Sequence, residues 1–271
     1  CCSSGAGWRK PMTRHIMGVS LALGMAGLWG CAAKPVDSFT LQVDLPPQFE
    51  LKTAANYGPA TGEACTLPRR RGKRPERKVF FTDYKAAASR VSYQLPLNET
   101  VDGCPLVLRG VEFDFYAKWG TRDGDVGGDI GGISIVDRLD TSRMPESGVQ
   151  VLPGQCQWLF RTVGTIHGIR KILQCRSLGA AGQLQKKGAG GVAQRDELRG
   201  KTLRVVLTLT EVEHPAFDDR WIAVPGGWRR CRGKSFDDLH AYCGSNTKDF
   251  TPIKMPDGRI CDVYPTCSVK E

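Results

Sequence analysis

Leu106-Val107-Leu108-Arg109-Gly110-Val111-Glu112-Phe113-Asp114-Phe115-Tyr116-Ala117-Lys118-Trp119 is the stretch that decides the fold class. Val111, Phe113 and Phe115 fall on one side of an extended chain, and Glu112, Asp114 and Tyr116 on the other. Side chains of a strand alternate between two faces, whereas a helix repeats about every 3.6 residues, so this pattern predicts a strand with one face buried. Upstream, Phe39, Leu41 and Val43 alternate with polar neighbours until Pro46-Pro47, and residues 79–84 and 91–97 (Val91, Tyr93, Leu95) repeat the period. Downstream, residues 133–136, 158–163, 166–173 and 203–212 continue it, the last with Leu203, Val205, Leu207 and Leu209 on one face. Short strands between Gly and Pro turns predict an all-β chain, an antiparallel sandwich or open barrel. Helical signal is confined to residues 237–242, with Ser235 as the expected cap. Residues 179–200, rich in Gly, Ala, Gln and Lys, read as a long, poorly packed connection.

The amino-terminal region has a different character. Residues 1–11 lack a methionine and read as a non-native upstream extension. Met12, Arg14 and His15 then precede an apolar run from Ile16 to Trp29, and Gly30 stands directly before Cys31. The run is shorter than the roughly 20 apolar residues a spanning helix needs, and it matches a signal-peptide core. Leu28-Trp29-Gly30-Cys31 resembles the lipobox of bacterial lipoproteins, which implies cleavage before Cys31, lipid on that cysteine and a periplasmic protein anchored to the outer or inner membrane. Residues 12–30 are thus the expected signal peptide and 31–37 a lipidated tether. A β domain is expected over 38–224. After Pro225-Gly226-Gly227 the chain turns cysteine-rich, so 225–271 is expected to be a small disulfide-stapled region.

Eight cysteines follow Cys31: Cys65, Cys104, Cys156, Cys175, Cys231, Cys243, Cys261 and Cys267. An even count in an oxidising compartment predicts disulfides, and many connectivities are compatible with the sequence. Sequential pairing is the simplest expectation, because neighbours in a meander lie close enough to bridge. The absence of Cys-x-x-Cys spacing, with only His167, His214 and His240 after Cys31, argues against zinc.

Charge is concentrated in one place. The whole chain carries +10, and removing Arg9, Lys10 and Arg14 leaves +7 after the signal. Arg69-Arg70-Arg71-Gly72-Lys73-Arg74-Pro75-Glu76-Arg77-Lys78 holds seven bases and one acid, a net +6. Arg69, Arg70, Arg71, Lys73 and Arg74 are therefore candidates for contact with an acidic partner or anionic headgroups. No aromatic platform interleaves them, so nucleic acid is not an expected partner. Trp119 and Trp228, near strand ends and turns, are further candidates for partner contact.

No Gly-x-Ser-x-Gly elbow, phosphate-binding loop, dinucleotide fingerprint or His-Glu-x-x-His occurs in the chain. Ser235, Asp238 and His240 are close enough in sequence to suggest a triad, but a cap serine and a surface histidine describe them better. Glu112 and Asp114 read as carboxylates on a wet strand face. Asp123, Asp125 and Asp129 alternate with glycines as calcium ligands do, but the EF-hand spacing fails, and a glycine-rich turn with solvated aspartates is the better reading. No cofactor and no enzymatic activity are expected.

Three runs carry a resemblance: Pro153-Gly154-Gln155-Cys156-Gln157-Trp158, Pro225-Gly226-Gly227-Trp228 and Cys261-Asp262-Val263-Tyr264-Pro265-Thr266-Cys267. Together with the export signal and the stapled β body, the chain resembles the periplasmic immunity lipoproteins paired with type VI secretion lipase effectors of the phospholipase D class. The resemblance implies a non-enzymatic protein that binds a toxic secreted phospholipase and blocks it. An envelope lipoprotein that binds lipid, glycan or an outer-membrane assembly partner is the alternative.

Overall fold

The computed structural model describes residues 37–268 apart from 61, 64, 69, 70 and 72–75. The signal segment, Cys31 and the basic residues Arg69, Arg70, Lys73 and Arg74 lie outside the described residues. In chain order the strands are β1 (Ser38–Leu45), β2 (Phe49–Pro59), β3 (Arg77–Phe81), β4 (Ser89–Pro96), β5 (Asn98–Val101) and β6 (Cys104–Lys118). β7 (Val126–Val136), β8 (Val149–Val163), β9 (Gly168–Leu178), β10 (Leu184–Gly188), β11 (Gly190–Gln194) and β12 (Thr202–Leu209) follow. The short strands β13 (His214–Pro215), β14 (Trp221–Val224), β15 (Gly227–Arg230), β16 (Ile253–Lys254), β17 (Ile260–Cys261) and β18 (Tyr264–Pro265) complete the described chain.

The larger sheet runs β17-β16-β9-β8-β12-β1-β4, with β10 on β9 and β13 on β8, and the second runs β11-β7-β6-β2-β3, with β5 on β6. Their inner faces make one core, in which Phe39, Leu41 and Val43 of β1, Leu203 and Val205 of β12, Phe113 and Phe115 of β6, and Ile133 of β7 are at most 2% exposed. Burial of each such side chain stabilises by roughly 1.5–3 kcal/mol. The all-β, sandwich-like class read from alternation is therefore what the chain adopts.

Pairing direction differs from a purely antiparallel arrangement. β12 is parallel to both β1 and β8, and β11 is parallel to β7. For β1 the reason lies at Pro46-Pro47-Gln48, where Gln48 takes φ 64° and the chain crosses to the opposite sheet as β2. β1 therefore finds its in-sheet neighbours far away in sequence. Alternation reports which face is buried and nothing about a neighbour's direction.

β6 shows how one strand buries two phases. Its pairing with β2 slips between Asn56↔Gly110 and Tyr57↔Leu108, so Arg109 is an extra residue. The bulge turns Leu106 and Leu108 inward along with Val111, Phe113 and Phe115. Glu112 and Asp114, expected to be simply solvated, are paired across the sheet with Arg77 at 2.8 Å and Lys52 at 2.7 Å.

The stretch 179–200, expected to be poorly packed, instead supplies β10 and β11, and Ala189, Ala193 and Leu198 are at most 1% exposed. Its small residues are what let β11 lie against β7: Gly190 sits at φ 133°, and a side chain there would collide with the Gly132 carbonyl.

A second, smaller core forms from Phe160 and Ile169 of the main sheet with Trp221, Ile253, Met255, Cys261 and Tyr264. Phe160 meets Trp221 edge-on at 4.9 Å, Tyr264 at 4.5 Å and Trp228 at 6.2 Å between ring centroids. A third sheet, β14-β15-β18, covers it. Pro225-Gly226-Gly227 forms the β14–β15 turn, and Gly227 is at φ 144°, where a side chain would collide with the Tyr264 carbonyl. Two of the three runs that carry the resemblance thus meet on neighbouring strands, with Trp228 paired to Tyr264. The third lies in β8 at the centre of the main sheet.

Disulfides join Cys65 to Cys104, Cys156 to Cys175, Cys231 to Cys243 and Cys261 to Cys267, the sequential pattern. Cys156 and Cys175 face each other directly on β8 and β9. The other three close loops that have little regular pairing of their own.

Candidate functional site

The most prominent exposed apolar feature of the carboxy-terminal region is the loop between Cys231 and Cys243, whose ends the disulfide holds with Cα atoms 5.1 Å apart. The sequence pattern predicts a helix over 237–242, and none forms. Asp238 is the reason. Its carboxylate accepts the backbone N–H groups of Lys234, His240 and Ala241, each at 3.0 Å, which replaces helical hydrogen bonding with a closed turn. Ala241 adopts φ 48°, outside the helical range. These backbone donors, Ala241 first, hold the Asp238 carboxyl below its ordinary pKa.

The loop is also gripped from within. Arg230, only 3% exposed, donates to the Asp238 carbonyl at 3.3 Å, to the Cys231 carbonyl at 3.2 Å and to the Thr162 hydroxyl at 2.7 Å. Beneath the loop lies His167, 2% exposed, its ring edge-on to Phe236 at 5.0 Å and neither nitrogen hydrogen-bonded.

With its backbone fixed in this way, the loop presents Phe236, Leu239 and Tyr242 outward at 46%, 63% and 47% exposure. Tyr242 stacks on His240, centroids 5.8 Å apart and planes 4° from parallel. The Arg220 guanidinium lies 5.5 Å from the Tyr242 centroid and 4.3 Å from that of Phe217. Phe217, Arg220, Tyr242 and His240 thus form a row of stacked planar groups beside two apolar tips. Stacking a guanidinium on aromatic faces holds it rigid, and the Arg220 Nε–H is enclosed without an acceptor. Tyrosine, phenylalanine and arginine are the side chains enriched in protein–protein interfaces.

His167 is expected to couple the stability of this region to pH. Burial, and secondarily the Arg230 guanidinium, lower its pKa below the ordinary value of 6.5, with Asp237 opposing. The unfolded chain takes up a proton near that value and the folded loop resists it, so this group's contribution is present above pH 6.5 and is lost as pH falls through the lowered folded pKa. The melting temperature is expected to fall between about pH 7.5 and about pH 5, and the fall should flatten in His167→Asn, which tolerates the φ of 49° at this position. An unchanged slope in the variant contradicts this assignment.

The residues singled out by sequence are scattered. Arg71 is exposed, while Arg77 and Lys78, at the end of the basic run, enter β3 and pair with Glu112 and Glu99. Trp119 is partly buried against the main core, its indole N–H enclosed without an acceptor and Lys171 6.0 Å from its ring. Trp228 packs against the second core. Lys171 and the Tyr264 hydroxyl both meet Glu213, which ties β9 to the carboxy-terminal sheet, and burial raises the Tyr264 pKa.

Asp125 is not a solvated turn residue. It is 1% exposed and holds Arg122 at 2.8 Å, with Arg170 at 3.7 Å, and its pKa is lowered chiefly by Arg122. Asp129 accepts the Cys175 N–H at 2.6 Å and Arg176 at 3.3 Å. With two of the three carboxylates committed to separate cationic and backbone donors, Asp123, Asp125 and Asp129 form no calcium cage, and no metal-binding cluster occurs among the described residues. Asp238, bound to backbone amides, likewise makes no triad with Ser235 and His240.

Sequence reasoning missed Phe217, Arg220, Phe236, Leu239 and Tyr242. One signal was present: three large apolar residues lie between two cysteines separated by 12 positions, in a segment too short to bury them. No protein-family model, curated protein or solved structure matches this chain.

Proposed function

We propose that this protein is a non-enzymatic periplasmic lipoprotein that binds and neutralises a toxic secreted phospholipase. The observation that supports a binding role is the disulfide-closed loop, with Phe236, Leu239 and Tyr242 held outward beside Arg220. Exposing large apolar side chains has a solubility cost, and a patch kept in one conformation by Asp238 and Arg230 loses little entropy when a partner covers it. The phospholipase as partner rests on the resemblance in the three quoted runs. A lipid tether at Cys31 concentrates such a surface at the membrane a phospholipase attacks, and the basic run 69–78 favours encounter with an acidic rim.

The test is affinity capture by the oxidised chain from periplasm of cells with active secretion systems, followed by phospholipid hydrolysis assays on what is retained. A phospholipase recovered in near-equal amount, with its activity suppressed about tenfold or more, is the expected result. Retention of lipid, glycan or envelope assembly proteins alone overturns the reading in favour of an envelope-binding lipoprotein.

A further inference from the structure

A cleft of about 810 Å³ opens on the far side of the sandwich, between the start of β8 and strands β7, β10 and β11. Its backbone geometry is unusual. β9 pairs with β8 only from Gly154 onward, and β10 folds back along β9, so residues 149–153 of β8 have a strand partner, β12, on one edge only. The carbonyls of Gly148 and Cys156 accept from Thr202, the first residue of β12, and from Thr210, just after its end. Alternation along the strand then turns the peptide groups of Val149, Val151 and Pro153 to the open edge, where the Val149 N–H already meets the Ser147 hydroxyl at 3.5 Å. Among the described residues no hydrogen bond meets the Val151 N–H or C=O. Pro153 has no N–H, so the Val151 N–H is the free backbone donor of residues 149–153 on this edge.

The opposite wall offers little obstruction, since Gly188, Gly190 and Gly191 contribute backbone alone. Val151 stands 49% exposed and Ile130 70% exposed at the mouth. Arg143 and Lys187 are the charged side chains of the lining, which contains no carboxylate.

We propose that this cleft binds an extended acidic peptide segment as an added strand on the open edge of β8. An unpaired strand edge supplies donor and acceptor in the spacing of another peptide chain, which is how strand addition gains its main-chain hydrogen bonds. The two cations select for acidic side chains alternating along that strand. A lipid headgroup would satisfy Arg143 and Lys187 but would bring no N–H to the Val151 carbonyl. The cleft and the Cys231–Cys243 loop are separate features, so this proposal does not depend on the phospholipase reading.

The probe is a fluorescein-labelled alternating Glu-Val peptide of about seven residues, with its Lys-Val counterpart and phosphatidylglycerol vesicles as comparisons. The oxidised full chain is expected to bind the acidic peptide, to reject the basic one, and to show slowed hydrogen exchange at the Val151 amide. Val151→Pro, which removes the open N–H and leaves the β12 edge unaltered, should weaken binding about tenfold or more. Arg143→Glu with Lys187→Glu should do the same without touching the backbone, and it decides the matter if the proline variant fails to fold. No binding of the acidic peptide, equal binding by the charge-reversed variant, or binding of vesicles in place of the peptide overturns the proposal.

Discussion

Phe160→Ala is expected to cost about 3–5 kcal/mol of stability, as deletion of a fully buried phenylalanine does when its site cannot collapse. Phe160 is 0% exposed and touches Trp221, Trp228 and Tyr264, which come from the three strands of the carboxy-terminal sheet. It is itself a residue of β8, inside the main sheet. The substitution therefore removes the main apolar joint between the sandwich and the stapled region. Disulfides Cys231–Cys243 and Cys261–Cys267 constrain their own short loops and cannot replace that joint. Denaturant unfolding monitored by tryptophan fluorescence measures the effect, and early proteolysis within residues 214–268 should accompany it. A loss of less than about 1 kcal/mol would mean that the second core is held by other contacts.

Tyr242→Ala is expected to weaken partner binding by about 2 kcal/mol or more, roughly a thirtyfold rise in Kd, while leaving the melting temperature almost unchanged. Tyr242 is 47% exposed, so little core is lost with it. Its ring, however, is a neighbour of both His240 at 5.8 Å and Arg220 at 5.5 Å. Removing it frees the guanidinium to sample other rotamers and exposes a gap where a partner would pack. Arg220→Ala should act in the same direction. A Kd within about threefold of the unaltered chain for both variants would place the binding surface elsewhere.

The sequence made the fold class legible because burial of one sheet face is written as alternation, and Val111, Phe113 and Phe115 are a clear instance. It made β2 almost invisible. There Thr53, Ala54 and Ala55 interrupt the large apolar residues, and Ala54 is buried from the opposite side, so the period blurs. The strands in 179–200 escaped notice for a related reason. Close approach of β11 to β7 requires glycine and alanine, residues that also mark loops. The parallel pairings had no local signal at all, since they follow from where β1 and β12 meet after most of the chain has passed between them.

The Cys231–Cys243 loop was harder still. Phe236, Leu239 and Tyr242 have a spacing close to a helical face, and only the three backbone hydrogen bonds to Asp238 convert that spacing into an outward-facing loop. A side-chain oxygen that outcompetes helical bonding is a tertiary fact, supported here by Arg230 from below. Trp119 and Trp228 attracted attention as large aromatics near turns, yet both pack against cores.

The measurement that bears most directly on the central claim is a hydrogen-exchange footprint of the oxidised chain mixed with the phospholipase proposed as its partner. Slowed exchange in residues 234–242 and around Arg220 is expected when the partner is bound, with the outer face of the main sheet unchanged. Unchanged exchange throughout 234–242, with protection elsewhere, would contradict the assignment of this loop as the surface that captures the toxin.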